Sequence, residues 1–189
     1  MRGLVVAARF LTIVPLPAVV PGGVDTLGRA AVWFPVIGLG IGVVLVAAER
    51  VTATLFPSLL AGLLTVTVWK LLTGGLHLDG LADCLDGLAG RDAEHRLAIM
   101  RDSRIGAFGA SVSGRAAPIA LATALVVALA ALHAIGVAVF AISVLGALAL
   151  TRFFASRLSG ITGDVLGAAI EVAELAGLLT VSAWSHLAR

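Results

Sequence analysis

At 189 residues the chain has room for one or two ordinary soluble domains, but 60% of it is hydrophobic, 13% is charged and tyrosine is absent, which moves the expectation to the membrane class. A formal net charge of +2 offers no electrostatic case for nucleic acid, and a single cysteine, Cys84, excludes an internal disulfide framework and a cysteine zinc site. The expected fold is all-α: a polytopic integral membrane helical bundle of about five transmembrane helices, with an N-terminal interfacial helix and a cytoplasmic Asp-rich helical loop.

The N-terminal "MRGLVVAARFLTIVPLPAVVPGG" has an arginine followed by an apolar stretch, as a signal peptide does. Arg9 interrupts the stretch and Pro15 and Pro17 end it, so an interfacial helix is the better reading. Residues 30–48 form the first expected span, which Glu49 and Arg50 close where it leaves the bilayer. Gly38 and Gly42 have the spacing that lets another helix pack closely, and Pro35 predicts a kink. Residues 58–73 form the second span, with Lys70 snorkelling to the headgroups near its end.

The stretch from His77 to Arg104 holds six of the eleven acids, Asp79, Asp83, Asp86, Asp92, Glu94 and Asp102, together with Arg91, Arg96, Arg101 and Arg104. Its second half, "DAEHRLAIMRDSRIG", reads as an amphipathic helix that Asp92 caps and Gly106 ends. From Ala116 to Phe154 the chain is apolar for too long to be one span, and "LHAIG" at 132–136 is the expected turn between helices of 116–132 and 135–152, with His133 structural. A last span covers 164–184, and no repeat or linker divides the chain, so 1–189 is expected to be one domain.

Arg2, Arg9 and Arg29 put the N-terminus in the cytoplasm by the positive-inside rule. Counting spans from there returns the 77–115 loop, and later Arg152 and Arg157, to the same side. Asp164 then stands at the cytoplasmic mouth of the last helix with Glu171 two turns in, so both acidic clusters share one face of the membrane.

Asp79, Asp83 and Asp86 are spaced i, i+4, i+7, which aligns them on one helix face. Adjacent carboxylates repel, and a divalent cation relieves the repulsion; hard oxygen donors favour Mg²⁺ or Mn²⁺. A solvated, acid-rich interfacial helix would explain the acids but not their spacing. Gly80, Ala82, Gly87 and Ala89 leave the neighbouring faces bare for a bulky substrate. Asp164 and Glu171 also share a face, with Glu174 to the side, and Asp164 doubles as a candidate N-cap. The arginines of "MRDSRIGAFG" suggest a phosphate clamp, since guanidinium binds phosphate oxygens bidentately. Metal, carboxylates and arginines at an interface point to phosphoryl transfer from a diphosphate. Two other classes fit the acids: a CDP-alcohol phosphotransferase of phospholipid synthesis, whose fuller pattern is absent, and a divalent-cation transporter, whose acids should lie nearer the midplane.

"TGGLHLDGLADCLDGLAG", "LAIMRDSRIGAFG" and "GITGDVLGAAIE", in this order, closely resemble the adenosylcobinamide-GDP ribazoletransferases, or cobalamin synthases; "FLTIVPLP" and "GRAAVWFPVIGLGIG" are similar to them too. The resemblance implies a Mg²⁺-dependent, multi-pass enzyme of the bacterial inner (cell) membrane with its site facing the cytoplasm. It would join adenosylcobinamide-GDP to α-ribazole or its 5′-phosphate and release GMP. By the same resemblance Asp79, Asp83 and Asp86 hold metal and diphosphate, Asp83 and Asp86 with catalytic roles. Arg101, Asp102, Ser103 and Arg104 bind substrate in the same site, and Asp164 and Glu171 form a second acidic block. One of these carboxylates or His77 deprotonates the attacking hydroxyl, although a helix-start hydrogen bond would explain His77 equally well. The implied partners are the two substrates and the lipid bilayer, with no nucleic acid and a homo-oligomer left open. The chain departs from the pattern after "DSRIGAFG": "ASVSGRAAP" runs straight into the next helix, where family members carry further membrane sequence.

Overall fold

Arg2–Leu11 forms α1, which stops short of Pro15 and Pro17 as expected; the Arg9 guanidinium donates to the Pro17 carbonyl at 3.3 Å. The computed structural model describes residues 2–17, 28–88, 116–158 and 161–188. The other helices are α2 (Phe34–Leu55), α3 (Ser58–Thr73), α4 (Leu76–Leu88), α5 (Ala116–Leu132), α6 (Ile135–Leu158) and α7 (Gly163–Leu187). No strand occurs among the described residues, and the protein is an all-α membrane protein.

Each expected span is a helix, with instructive differences at the ends. Pro35 lies in the first turn of α2, after a 3₁₀ turn of Ala31–Trp33. A first-turn proline forfeits no helical hydrogen bond, so it starts this helix and does not kink it. Glu49 and Arg50 stand inside α2, which runs on to Leu55. Gly38 and Gly42 meet no neighbouring atom within 4 Å of where a Cβ would stand, so the close packing expected of them is not made among the described residues. Among the described residues three helical stretches are long and apolar enough to cross a membrane: Gly28–Leu55, Ile135–Arg157 and Gly163–Leu187. A fourth is reached if Ser58–Thr73 and Leu76–Leu88 count together, and Ala116–Leu132 is a shorter apolar helix.

The chain divides into two compact units: the described residues up to Gly75 together with α5 as far as Thr123, and α4 together with the described residues from Ala124 onward. In the first, Phe10 of α1 stacks on Phe34 of α2 at 5.7 Å, and the Ile13 N–H donates to the Leu72 carbonyl at 2.9 Å. Gly74 and Gly75 close α3 with φ of 68° and 66°, a left-handed conformation that glycine adopts without strain. Lys70 lies over the Trp69 ring at 4.7 Å.

In the second unit α7 is central and packs on both α4 and α6. Cys84, Phe154, Val165 and Ala168 form its core, with Leu81, Leu88 and Leu150 against them. Ser143 of α6 donates to the Ala173 carbonyl of α7 at 3.1 Å. The turn expected at 132–136 is present: His133 adopts φ 55°, and a Cβ on Gly136 would run into the Ala128 carbonyl, so glycine is required there.

Candidate active site

Helix α4 presents two adjacent rows. Gly80, Cys84 and Gly87 are buried, whereas Asp79 and Asp86 are exposed and Asp83 and His77 half-buried. The one-face spacing of the acids is therefore real, but of the small residues beside them Gly80 and Gly87 are buried and not open to a substrate, whereas Ala82 is exposed and Ala89 lies outside the described residues. Gly80 lies in the seam on which α7 packs. A Cβ on Gly80 would lie 3.0 Å from the Cα and the carbonyl oxygen of Asp164. A Cβ on Gly167 would lie 3.4 Å from the Cα and carbonyl oxygen of His77 and 3.6 Å from the Cα of Gly80. The helices thus cross almost backbone to backbone, with His77 and Gly80 on one side and Asp164 and Gly167 on the other.

Thr162, not Asp164, caps α7: its hydroxyl accepts from the Val165 N–H at 3.3 Å. That leaves Asp164 in the first turn with only 7% of its surface exposed. The positive end of the helix dipole favours a carboxylate at this position. Glu171 lies one turn beyond Gly167 and is half-buried, as is Glu174.

Electrostatics ties the two helices together at one point. Burial, then the Asp164 carboxylate, then the Asp83 carboxylate push the Cys84 thiol up to about 12. Acids from α4 and α7 are thus both close to this buried sulfur. At 13 residues α4 is too short to cross a bilayer alone, and its thiol belongs outside the spans.

Among the described residues no three His, Cys, Asp or Glu side chains come together as a metal-ligand set. Geometry explains this for α4: residues seven apart on a helix are separated by about 10 Å of rise, too far to share one ion. The donor chemistry still suits Mg²⁺, which is commonly held by one or two carboxylates together with substrate phosphates and water. Arg101, Asp102, Ser103 and Arg104, like Asp92 and Glu94, lie outside the described residues.

Sequence reasoning missed the seam. Its signal was present in Gly163 and Gly167, four apart on α7, and in Gly80 and Cys84, four apart on α4, the small-residue spacing that permits close helix crossings.

These features define a helical membrane protein in which two acid-bearing helices cross at a tightly packed seam. The chain belongs to the cobalamin-5-phosphate synthase family, whose profile matches residues 3–114 and 110–182. A protein of Ralstonia nicotianae is 34% identical over 249 positions, covering 97% of this chain and 96% of the relative. One from Geotalea daltonii is 44% identical over 110 residues (58% of this chain, 44% of the relative). One from Thiobacillus denitrificans is 44% identical over 114 residues (59% and 46%). All three carry the name adenosylcobinamide-GDP ribazoletransferase. In the latter two matches this chain spans less than half of the relative's length. The Ralstonia alignment is longer than this 189-residue chain, so that relative holds an internal stretch without a counterpart here. The two profile matches meet at 110–114, where the sequence departs from the family pattern. No solved structure matches the chain significantly.

Proposed function

We propose that the protein transfers the phosphocobinamide moiety of adenosylcobinamide-GDP to α-ribazole or its 5′-phosphate, releasing GMP, on the cytoplasmic side of the cell membrane. The observation that carries this reading is the crossing of α4 on α7. It sets the backbone of Asp164 against Gly80, the residue next to Asp79 in α4, and transfer from a diphosphate needs oxygen ligands and charge control from more than one side. The names of the relatives supply the substrate class.

A ribose hydroxyl attacks the phosphorus that is bonded to the cobinamide arm. The new P–O bond forms as the P–O–P link breaks, and GMP departs with the bridging oxygen. The hydroxyl proton passes to a carboxylate of the cluster or to His77. Asp83 with one of its neighbours, Asp79 or Asp86, and with phosphate oxygens of the substrate would hold Mg²⁺, which would supply charge neutralisation on the diphosphate, with Asp164 as a further candidate ligand from α7. Asp102, Arg101, Ser103 and Arg104 are proposed to grip the phosphates, and Glu171 to line the substrate side. The tight seam keeps water from the inner edge of the site.

The test is Mg²⁺-dependent GMP release by the purified chain, beside Asp83→Ala and Asp164→Ala. Each substitution is expected to lower turnover about 10²-fold or more, as loss of a charge-stabilising group does. Full activity in both would overturn the site assignment, and CMP release from a CDP-alcohol would move the protein to phospholipid synthesis.

A further inference from the structure

We propose that Gly80 is a positioning residue for the transfer site: the absence of a side chain there sets the distance between the α4 carboxylates and Asp164. The proposal rests on the functional reading above for its substrate, but on the helix crossing for its geometry. Gly80 lies in the middle of the buried row of α4, one residue after Asp79 and three before Asp83. A Cβ at this position would meet the Asp164 Cα and carbonyl oxygen at 3.0 Å, backbone atoms that cannot rotate out of the way. The only relief is for the start of α7 to retreat from α4 by a few tenths of an ångström. That retreat acts on the one residue of α7 that is both acidic and buried at the crossing, Asp164.

The other glycines provide an internal scale. At Gly167 a Cβ would come no closer than 3.4 Å to His77, the edge of ordinary contact, and at Gly146 on α6 it would meet nothing within 4 Å. Disturbance of the site should therefore rank Gly80 far above Gly167, with Gly146 silent. Catalysis is sensitive on this length scale, since about 1 Å of misplacement can cost 10²-fold in rate.

The sole cysteine supplies the control for folding. Cys84 lies one turn beyond Gly80 and has no exposed surface, so its rate of maleimide labelling reports whether the seam stays closed. The experiment uses the full chain in detergent or nanodiscs and compares Gly80→Ala, Gly167→Ala, Gly146→Ala, Asp164→Glu and the double variant Gly80→Ala/Asp164→Glu. Gly80→Ala is expected to lower kcat about tenfold or more with KM within about twofold, while Cys84 stays as slow to label as in the parent. Asp164→Glu alone should lower activity. In the Gly80→Ala background its extra methylene should restore the lost reach and raise activity several-fold, a sign reversal that general destabilisation does not produce.

Parent-like kcat in Gly80→Ala would overturn the proposal. Fast labelling of Cys84 in that variant would do so too, by making the glycine a requirement of folding alone, as would additive losses in the double variant. Mn²⁺ binding followed by electron paramagnetic resonance gives a readout apart from turnover. Gly80→Ala should weaken it and Gly146→Ala should not. A parent that releases no GMP would sink the functional reading, and unchanged Mn²⁺ affinity in Gly80→Ala would then sink the positioning role separately.

Discussion

Cys84 looks inert in the sequence, a lone thiol among aspartates, and the structure gives it an electrostatic role as a witness to its neighbours. Burial together with Asp164 and Asp83 holds its proton to about pH 12. At pH 8 the thiolate fraction is then roughly 10³-fold below that of an ordinary cysteine. Maleimide labelling of the native chain should be slower by at least that factor, and its rate should climb across pH 8–10 without the plateau that a free thiol shows. A plateau near pH 9 would mean that the sulfur is neither buried nor under the influence of the two carboxylates. The linkage has a definite sign: the unfolded chain releases this proton first, so the group lowers stability only above about pH 9, increasingly toward pH 12. The aspartates themselves were legible because helical spacing is written in residue numbers. The neighbours that bury Cys84 were not, because they come from α7, which no local pattern in α4 can name.

Apolar runs made the helices themselves readable, and capping chemistry adjusted their ends. Asp164 is the candidate N-cap of α7 in the sequence, and the structure gives that role to Thr162. Thr162→Ala should cost about 1 kcal/mol, seen as a lower melting temperature in detergent, whereas Asp164→Asn should leave the cap intact and act on turnover. At the α5–α6 turn His133 holds φ 55°, a region that costs a side-chain-bearing residue roughly 1–2 kcal/mol. His133→Gly should therefore be neutral or raise the melting temperature; a marked fall would show that the imidazole makes a contact worth more than the strain. Gly136→Ala should be the damaging change in this turn, because its Cβ would run into the Ala128 carbonyl. Helix ends follow backbone hydrogen bonding and not the hydrophobic boundary, so α2 has its proline in the first turn and runs on past Glu49 and Arg50 to Leu55.

At the scale of the whole molecule the charge pattern sets an orientation that can be measured. In a Cys84→Ser background, a cysteine at the exposed Ala82 should label from the cytoplasmic side, and one at Leu187, 83% exposed at the end of α7, from the opposite side. Labelling of both from one side would overturn the five-span topology. The contact between α4 and α7 joins segments far apart in the chain, in a protein that goes without an internal stretch its Ralstonia relative carries. The two profile matches join at 110–114, between the two segments that meet at Gly80 and Asp164. Bringing two segments together costs entropy that grows only with the logarithm of the chain between them, about 0.6 kcal/mol for each doubling. The seam therefore behaves like a clasp whose strength depends only weakly on the length of a flexible strap between its two halves.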